Sequence, residues 1–503
     1  MHHSLRFVAL LSLGGALAAS ATQACGGASD SDLFVADGGG GDDAGQGSDG
    51  TTGHDGGNVG DGSTTHDGAT GNDGSTGNDS GPCVGLQCQV PTCDGGATTK
   101  ITGTVTDPAK INPVYNAIVY VPNAMVPDLP VGPTCEVCGA RPPGGQPIVL
   151  TLSAADGTFT LSNVPAGTDI PLVVQIGKWR RVVKIPTVTA CVDNALEKEL
   201  TRLPKRKSEG SLPQIAVATG GCDQLECVLR KMGVDDAEFT VPTGTGSVHV
   251  YVGNGGGSVL NSPAATTLWS SPTALAKYDM VLNGCECMAD EVSKPRTSIQ
   301  NMADYASLGG RWLGTHYQNY WLRNAPFPIP YTAAFSSADG FGTDSLALNV
   351  NTTMPKGQAF AAWLVAVGAS TTSGVVTLDT MRHNTSAVTA PSTMWLSGND
   401  SMSNPPAEVA LYTFNTPFPS SAVDAGVVGD AAPWGDAGHG MACGKIGYAD
   451  FHASMLSATP GVFPSECSTT PMTNDEKALE FTLFDLGGCV QDDTMAPKMP
   501  PLR

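Results

Sequence analysis

The chain has 503 residues, a formal net charge of −21, 62 glycines and only 15% charged residues. That length exceeds one ordinary core, so more than one folded unit is expected. The acidic balance excludes nucleic acid and anionic membrane surfaces as natural partners, because both would be repelled.

The N-terminus reads as an export signal. Arg6 precedes an apolar run, Phe7 to Ala19, that is short for a membrane span. Small residues then lead to Thr22-Gln23-Ala24-Cys25-Gly26-Gly27. This junction resembles that of bacterial lipoproteins, with Thr22 where the family favours Leu. The resemblance implies a signal peptide over 1–24, lipidation of Cys25 and a lipid anchor in the cell envelope; ordinary cleavage after Ala21 and secretion is the alternative. Residues 25–82 are Gly, Asp, Ser and Thr-rich, with Asp recurring from Asp43 to Asp79 every six positions. Calcium-binding repeats would need a regular apolar position, and none is present, so the segment is expected to be a disordered tether. Cys25 aside, thirteen cysteines follow. In an exported chain they predict disulfides with one thiol left over.

From Lys100 short alternating strands are separated by turn residues, which predicts a small antiparallel β-sandwich. Gly103-Thr-Val-Thr, Asn116-Ala-Ile-Val-Tyr-Val and Asp156-Gly157-Thr-Phe-Thr-Leu-Ser-Asn-Val-Pro165-Ala-Gly167 resemble the carboxypeptidase regulatory-like (transthyretin-like) domain. Members of that family are usually non-catalytic modules. The unit is drawn over 83–205. Cys83, Cys88 and Cys93 form its entry. An insertion from Pro122 to Gly145 carries Cys135 and Cys138, for which a structural disulfide is expected, Cys191 being one candidate partner. A basic link, Leu203 to Gly210, closes the unit.

The period then changes. Gln214–Thr219, Ser247–Val252, Tyr278–Asn283 and Arg311–Thr315 read as strands. Amphipathic helices over Cys222–Met232 and Ser298–Leu308 lie between them. Such alternation predicts an α/β doubly wound (flavodoxin-like) domain with a parallel sheet, drawn over 206–490. Further strands are read at Gly374–Leu378, Thr393–Leu396, Val409–Phe414 and Gly444–His452. A Thr473/Glu476 capping box opens the last helix, and 491–503 reads as a loose tail. Asp424, Asp430 and Asp436 sit in a Gly-rich loop.

Ligands of parallel sheets bind outside the carboxyl ends of the strands. Those ends hold Cys222, Cys285, Glu286, Cys287, Thr315, His316, Tyr317, Asp450 and His452. A metal site, an acid–base pair and a disulfide-capped edge all fit this set. On a helix Cys222 and Cys227 would sit on the order of 8 Å apart, beyond bridging distance. One of them is therefore expected to bridge to Cys285 or Cys287. Tyr305-x3-Gly309-Gly-Arg-Trp-Leu-Gly314-Thr-His316, with Gly444-Lys-Ile-Gly-Tyr-Ala-Asp-Phe-His452, resembles the class I glutamine amidotransferase-like fold, closest to its ThuA-like branch. The resemblance implies functional roles at His316 and His452; the strand-end argument makes Glu286, Thr315, Tyr317 and Asp450 a ligand-binding rim. The family's Gly-x-Cys-x-Gly elbow is Gly314-Thr-His316-Tyr-Gln here, which argues against glutaminase chemistry.

Gly253–Ser258 lacks the Gly-Lys-Ser/Thr ending of a phosphate loop. No cofactor and no metal are assigned. The expectation is a non-catalytic surface module of the envelope that binds an extracellular glycan or protein. The alternative is a His- or metal-assisted hydrolase or sugar-modifying enzyme.

Overall fold

The computed structural model describes residues 83, 85–142, 146–259, 261–336, 344–399, 406–418, 441–453 and 461–502. The signal segment, Cys25, the tether and the loop of Asp424, Asp430 and Asp436 lie outside them. Among the described residues no helix is long and apolar enough to cross a membrane.

Seven strands build the first part: β1 (Lys100–Thr104), β2 (Ile118–Val121), β3 (Val149–Leu152), β4 (Thr158–Ser162), β5 (Gly167–Ile176), β6 (Trp179–Val188) and β7 (Asp193–Ala195). They form two sheets, β4-β1-β7 and β3-β2-β5-β6. All pairs are antiparallel except β1 with β7. In β4 the alternation works as expected: Phe159 and Leu161 are buried, while Thr158, Thr160 and Ser162 face solvent. Ile101, Val119, Val121, Leu172 and Val174 complete the inner faces with no exposed surface.

The second part is one ten-stranded sheet and a two-stranded ribbon. Its strands are β8 (Ile215–Thr219), β9 (Phe239–Thr240), β10 (Val248–Val252), β11 (Met280–Asn283), β12 (Arg311–Thr315), β13 (Ala333–Phe335), β14 (Asp344–Val350), β15 (Val375–Met381), β16 (Thr385–Val388), β17 (Thr393–Asn399), β18 (Ala407–Thr416) and β19 (Gly444–Ala449). From one edge β9, β10, β8, β11, β12 and β19 run parallel. Every residue of β8, β11, β12 and β19 is buried, as continuous apolar runs covered on both faces require. The sheet does not stay parallel. β18, β17, β14 and β15 extend it antiparallel beyond β19. Only seven residues separate β17 from β18, too few for the crossover that a parallel pair needs.

Twelve described cysteines form six disulfides: Cys83–Cys88, Cys93–Cys191, Cys135–Cys443, Cys138–Cys489, Cys222–Cys287 and Cys227–Cys467. This set fits an extracellular or exported chain. Cys222 does bridge to Cys287, and Cys285 is the remaining free thiol. Cys222 lies before the helix, which spans Leu225–Lys231. Cys227 pairs elsewhere than expected, with Cys467. Cys191 does not serve the insertion; it closes the entry with Cys93. Cys135 and Cys138 reach across to Cys443 and Cys489 because their segment pairs with the chain after the last helix. There the Cys138 N–H donates to the Val490 carbonyl at 3.0 Å, and the Val490 N–H to that of Glu136 at 2.7 Å.

The boundary near residue 205 separates topologies, not cores. Sandwich residues such as Val174 and Trp179 share one apolar cluster with Leu483 and Phe484 of the last helix, Asn474–Gly487. At the β5–β6 turn, Gly177 (φ +52) comes so near this helix that a Cβ would lie 1.7 Å from the Gly487 carbonyl oxygen. The Thr473/Glu476 capping box is formed. The reading of 491–503 as a loose tail is corrected at its start, because Asp493 is buried and accepts from Lys356 and Lys445 at 2.7 Å each.

The sandwich also meets the last helix through two carboxyls. Asn112 donates to Glu480, and Asp107 hydrogen-bonds with Glu480. Burial pushes Asp107 up to about 6 and Glu480 well above the usual carboxylate range, with Lys477 opposing it. Both carboxyls thus keep protons in the folded chain that the unfolded chain has lost, so this contact stabilises at low pH and weakens as pH rises. Glu480→Gln supplies an N–H that does not titrate. It is expected to raise stability at about pH 8 by on the order of 1 kcal/mol while changing little at about pH 4. Urea denaturation at both values checks this, and an equal effect at both sinks the shared-proton account.

Candidate functional site

The parallel strands carry apolar side chains on both faces, so polar groups can enter only where strands end. Three adjacent ends converge. Past β11, Cys285 is held by its N–H to Thr315 Oγ1 at 3.0 Å and by its carbonyl, which accepts from Cys222 N at 2.9 Å. The Cys222–Cys287 disulfide fixes the same turn. Past β12, His316 adopts φ 45 and opens a short 3-10 turn, His316–Gln318. A left-handed backbone is unfavourable for a side chain with a Cβ and marks a position held by its surroundings. The strand approaches that turn through Gly314, where a Cβ would lie 2.3 Å from the Trp312 ring and 2.8 Å from Gln318 Cβ. Past β19, His452 is anchored by its backbone to Thr380 on β15: its N–H reaches the Thr380 carbonyl at 3.2 Å, and its carbonyl accepts from Thr380 Oγ1 at 2.5 Å.

Cys285 Sγ lies 3.3 Å from His316 Nδ1, and His316 Nδ1 lies 3.1 Å from His452 Nε2. Arg382 Nη2 donates to His452 Nδ1 at 2.9 Å. A guanidinium cannot accept, so His452 carries its proton on Nε2 and donates it to His316 Nδ1. The neutral His316 ring then bears its proton on Nε2. That nitrogen makes no hydrogen bond of good geometry among the described residues, with the Asn384 side chain beside the ring. Exposure is 4% for His316, 1% for His452 and nil for Cys285. Burial, reinforced by Arg382, lowers His316 to about 2 and His452 well below the usual histidine range, so both rings are neutral near neutral pH. Burial pushes the Cys285 thiol up to about 12, opposed by the N–H groups of Tyr317 and Cys287. Asp223 is raised by burial to about 7. It hydrogen-bonds Thr315 and accepts from Ala453 N at 2.8 Å, leaving Oδ2 unpartnered.

The expected rim divides. Thr315 and Tyr317 belong to the cluster: Thr315 links Cys285 to Asp223, and the Tyr317 ring lies 3.9 Å from that of His316, centre to centre. Asp450 takes a supporting place, accepting from Asn384 N at 2.7 Å and bonding to Tyr448, whose hydroxyl donates to the His316 carbonyl at 2.8 Å. Glu286 faces elsewhere. It accepts from Asn254 N at 2.8 Å, from Lys294 and from Gln318, and so pins the Gly-rich 253–257 loop.

Sequence reasoning missed Asp223, Arg382 and the site role of Cys285. Cys285 carried a signal in the odd cysteine count. Arg382-His383-Asn384 follows directly on β15, which runs to Met381, past Leu378 where the apolar run in the sequence stops.

The arrangement offers a neutral imidazole donor at His316 Nε2, backed by a fixed relay from Arg382 through His452. It also offers Asp223, a carboxyl that titrates near neutrality. For a metal, the nitrogen and sulfur donors of Cys285, His316 and His452 all lie within 4.8 Å of one another.

No protein-family model matches the chain, and no curated protein matches it. Two solved structures are similar over part of it, both from Acetivibrio cellulolyticus. One is a C-terminal interface mutant of the type II cohesin–X-dockerin complex, at 13% identity and TM-score 0.14, covering 28% of this chain and 75% of that one. The other is an N-terminal interface mutant of the same complex, at 13% identity and TM-score 0.15, covering 27% and 85%. Likeness at this level carries no argument about fold or function.

The neutral histidines have a consequence for stability. In the unfolded chain a histidine protonates below about 6.5, whereas the folded His316 does so only near 2. The folded state therefore loses ground as pH falls below about 6.5, where the unfolded chain takes up the extra proton. His316→Asn removes this titration while tolerating the left-handed backbone. The stability of the native protein relative to the variant is expected to rise with pH up to about 6.5 and then level off. Urea melts from about pH 4 to about pH 8 test it, and a pH-independent difference would count against buried neutral rings.

Proposed function

We propose that this is an exported envelope protein whose second part is a degenerate amidotransferase-like (ThuA-like) unit. In this reading His316 and His452 serve hydrolytic or sugar-modifying chemistry on an extracellular carbohydrate. The observation that carries it is the meeting of His316 Nδ1 and His452 Nε2 at 3.1 Å from two strand ends 136 residues apart. It is joined by the left-handed backbone at His316. Catalytic groups on strand-to-helix turns often sit in such backbone conformations.

The flavodoxin-like reading is supported by the order of the parallel strands. Taken in sequence they are β8, β10, β11, β12 and β19, and in space they run second, first, third, fourth, fifth. The small β9 strand extends the edge, and the antiparallel strands enter between the fourth and the fifth in sequence. The transthyretin-like reading of the first part rests on its two-sheet layout and the Asp156–Gly157 turn. Its role is to brace the sheet. Lipidation at Cys25 and the 25–82 tether would set the folded part away from the membrane.

In the proposed chemistry His316 Nε2–H polarises a substrate oxygen as a neutral donor. His452 and Arg382 hold its tautomer, and Asp223 is the carboxyl assigned to take the proton of the attacking water. His316→Ala and His452→Ala are each expected to lower turnover of envelope-polysaccharide fragments by about 10²–10⁴-fold, followed by mass spectrometry of products. No product with native protein across such substrates, or native-level turnover in both variants, rejects the assignment. A second reading, a non-catalytic glycan-binding module, is favoured by the burial of both imidazoles and the thiol. Glycan binding that both variants retain, with no turnover by the native protein, supports it.

A further inference from the structure

We propose that Cys285, His316 and His452 form a binding site for a borderline-soft divalent cation of the zinc class, with a fourth position open. The inference deepens the catalytic reading of the same strand ends and rests on it.

The donor set selects the ion. One thiol and two imidazoles suit zinc-class metals, whereas calcium and magnesium require oxygen ligands. Three protein donors of nitrogen and sulfur leave the fourth position of a tetrahedral ion free, the pattern of catalytic rather than structural sites. The geometry suits it as well. With metal–nitrogen bonds of about 2.0–2.1 Å and metal–sulfur bonds of about 2.3 Å, a tetrahedral site has N···N edges of about 3.4 Å and S···N edges of about 3.6 Å. The corresponding separations here are 3.1 Å and 3.3 Å, and all three donor atoms lie within 4.8 Å of one another. The two edges that meet at His316 Nδ1 would each lengthen by about 0.3 Å to seat the ion.

The surroundings add two arguments. Every other described cysteine is in a disulfide, while Cys285 stays reduced beside two imidazoles. The N–H groups of Tyr317 and Cys287 also hydrogen-bond its sulfur, so its position is set from the backbone. His316 would bind through Nδ1 and keep its Nε2–H for the substrate.

Arg382 opposes the ion. A ligating His452 Nε2 must shed its hydrogen, which moves to Nδ1, and Arg382 then has to release that nitrogen. Cys285, Asp223 and Asp450 are the other groups whose charge bears on the guanidinium. The overall exchange is balanced: the cation enters, the Cys285 thiol loses one proton to solvent, and the His452 proton moves across its ring. Arg382 thus acts as a gate that the metal must displace.

The test uses the purified full chain, stripped with chelator and titrated with Zn(II) by calorimetry and with Co(II) by absorption. One equivalent is expected, with a thiolate-to-cobalt charge-transfer band that Cys285→Ser abolishes. Affinity should fall at least tenfold in His452→Gln, which removes a ligand, and rise about tenfold in Arg382→Gln, the reverse of the usual loss when an outer-shell partner is removed, because Arg382 competes with the ion for His452. Binding that Cys285→Ser leaves unchanged, or no stoichiometric binding, overturns the proposal. X-ray absorption on the zinc-loaded native protein covers the case of a variant that misfolds: a shell with one sulfur and two imidazole nitrogens supports the site, and a shell of oxygen and nitrogen alone refutes it. Turnover is read separately, so a catalytic failure with metal bound, or turnover that survives chelation, tells the two proposals apart.

Discussion

Four adjacent strands, β8, β11, β12 and β19, are buried along their whole length, and this constraint governs the rest of the sheet. A strand covered on both faces has nowhere to place a polar side chain except at its ends. Polar groups therefore sit at both ends of these strands: Asp279, Arg311 and Lys445 at the amino ends, and Cys285, His316, His452, Asp223 and Arg382 crowded at the carboxyl edge. The same constraint explains the neutrality of the two histidines and Asp223. Groups taken out of water shift toward the uncharged form, so the histidines give up protons and the carboxyl keeps one.

The sandwich contributes by bracing the opposite side. Its β5–β6 turn lies against the end of the last helix at Gly177, and its insertion is strapped to the sheet by Cys135–Cys443 and Cys138–Cys489. Cross-links that close loops of more than three hundred residues remove much freedom from the unfolded chain. Lys356 and Lys445, almost wholly buried, are compensated by Asp485 and Asp493. A buried cation without such partners would be severely destabilising, so the segment after the last helix is part of the structure.

At the strand ends, structural and chemical demands overlap. Thr315 receives the Cys285 N–H and bonds Asp223, while Tyr448 ties the His316 carbonyl toward Asp450. A network this connected holds its members in fixed rotamers, which suits a site that must present one N–H in one direction. The left-handed turn at His316 is fastened by Tyr448, which donates to its carbonyl, while Trp312 and Gln318 crowd the nearby Gly314.

Much of the architecture was legible in the sequence, since periodicity and turn chemistry are local. The alternating strands of the sandwich, the buried runs at Ile215–Thr219 and Arg311–Thr315, and the Thr473/Glu476 cap each declare themselves within a few residues. His316 and His452 could be named because each ends an apolar run. Their contact could not be, nor could the part played by Arg382, which lies seventy residues from His452 and acts across an antiparallel strand. Cysteine identity likewise predicted disulfides, but which thiol stayed free depended on which strand ends became neighbours. Local sequence determined the elements and the residue types at their ends. Tertiary packing alone brought Cys285, His316 and His452 to one point, because distances between strand ends are set by sheet order and not by position along the chain.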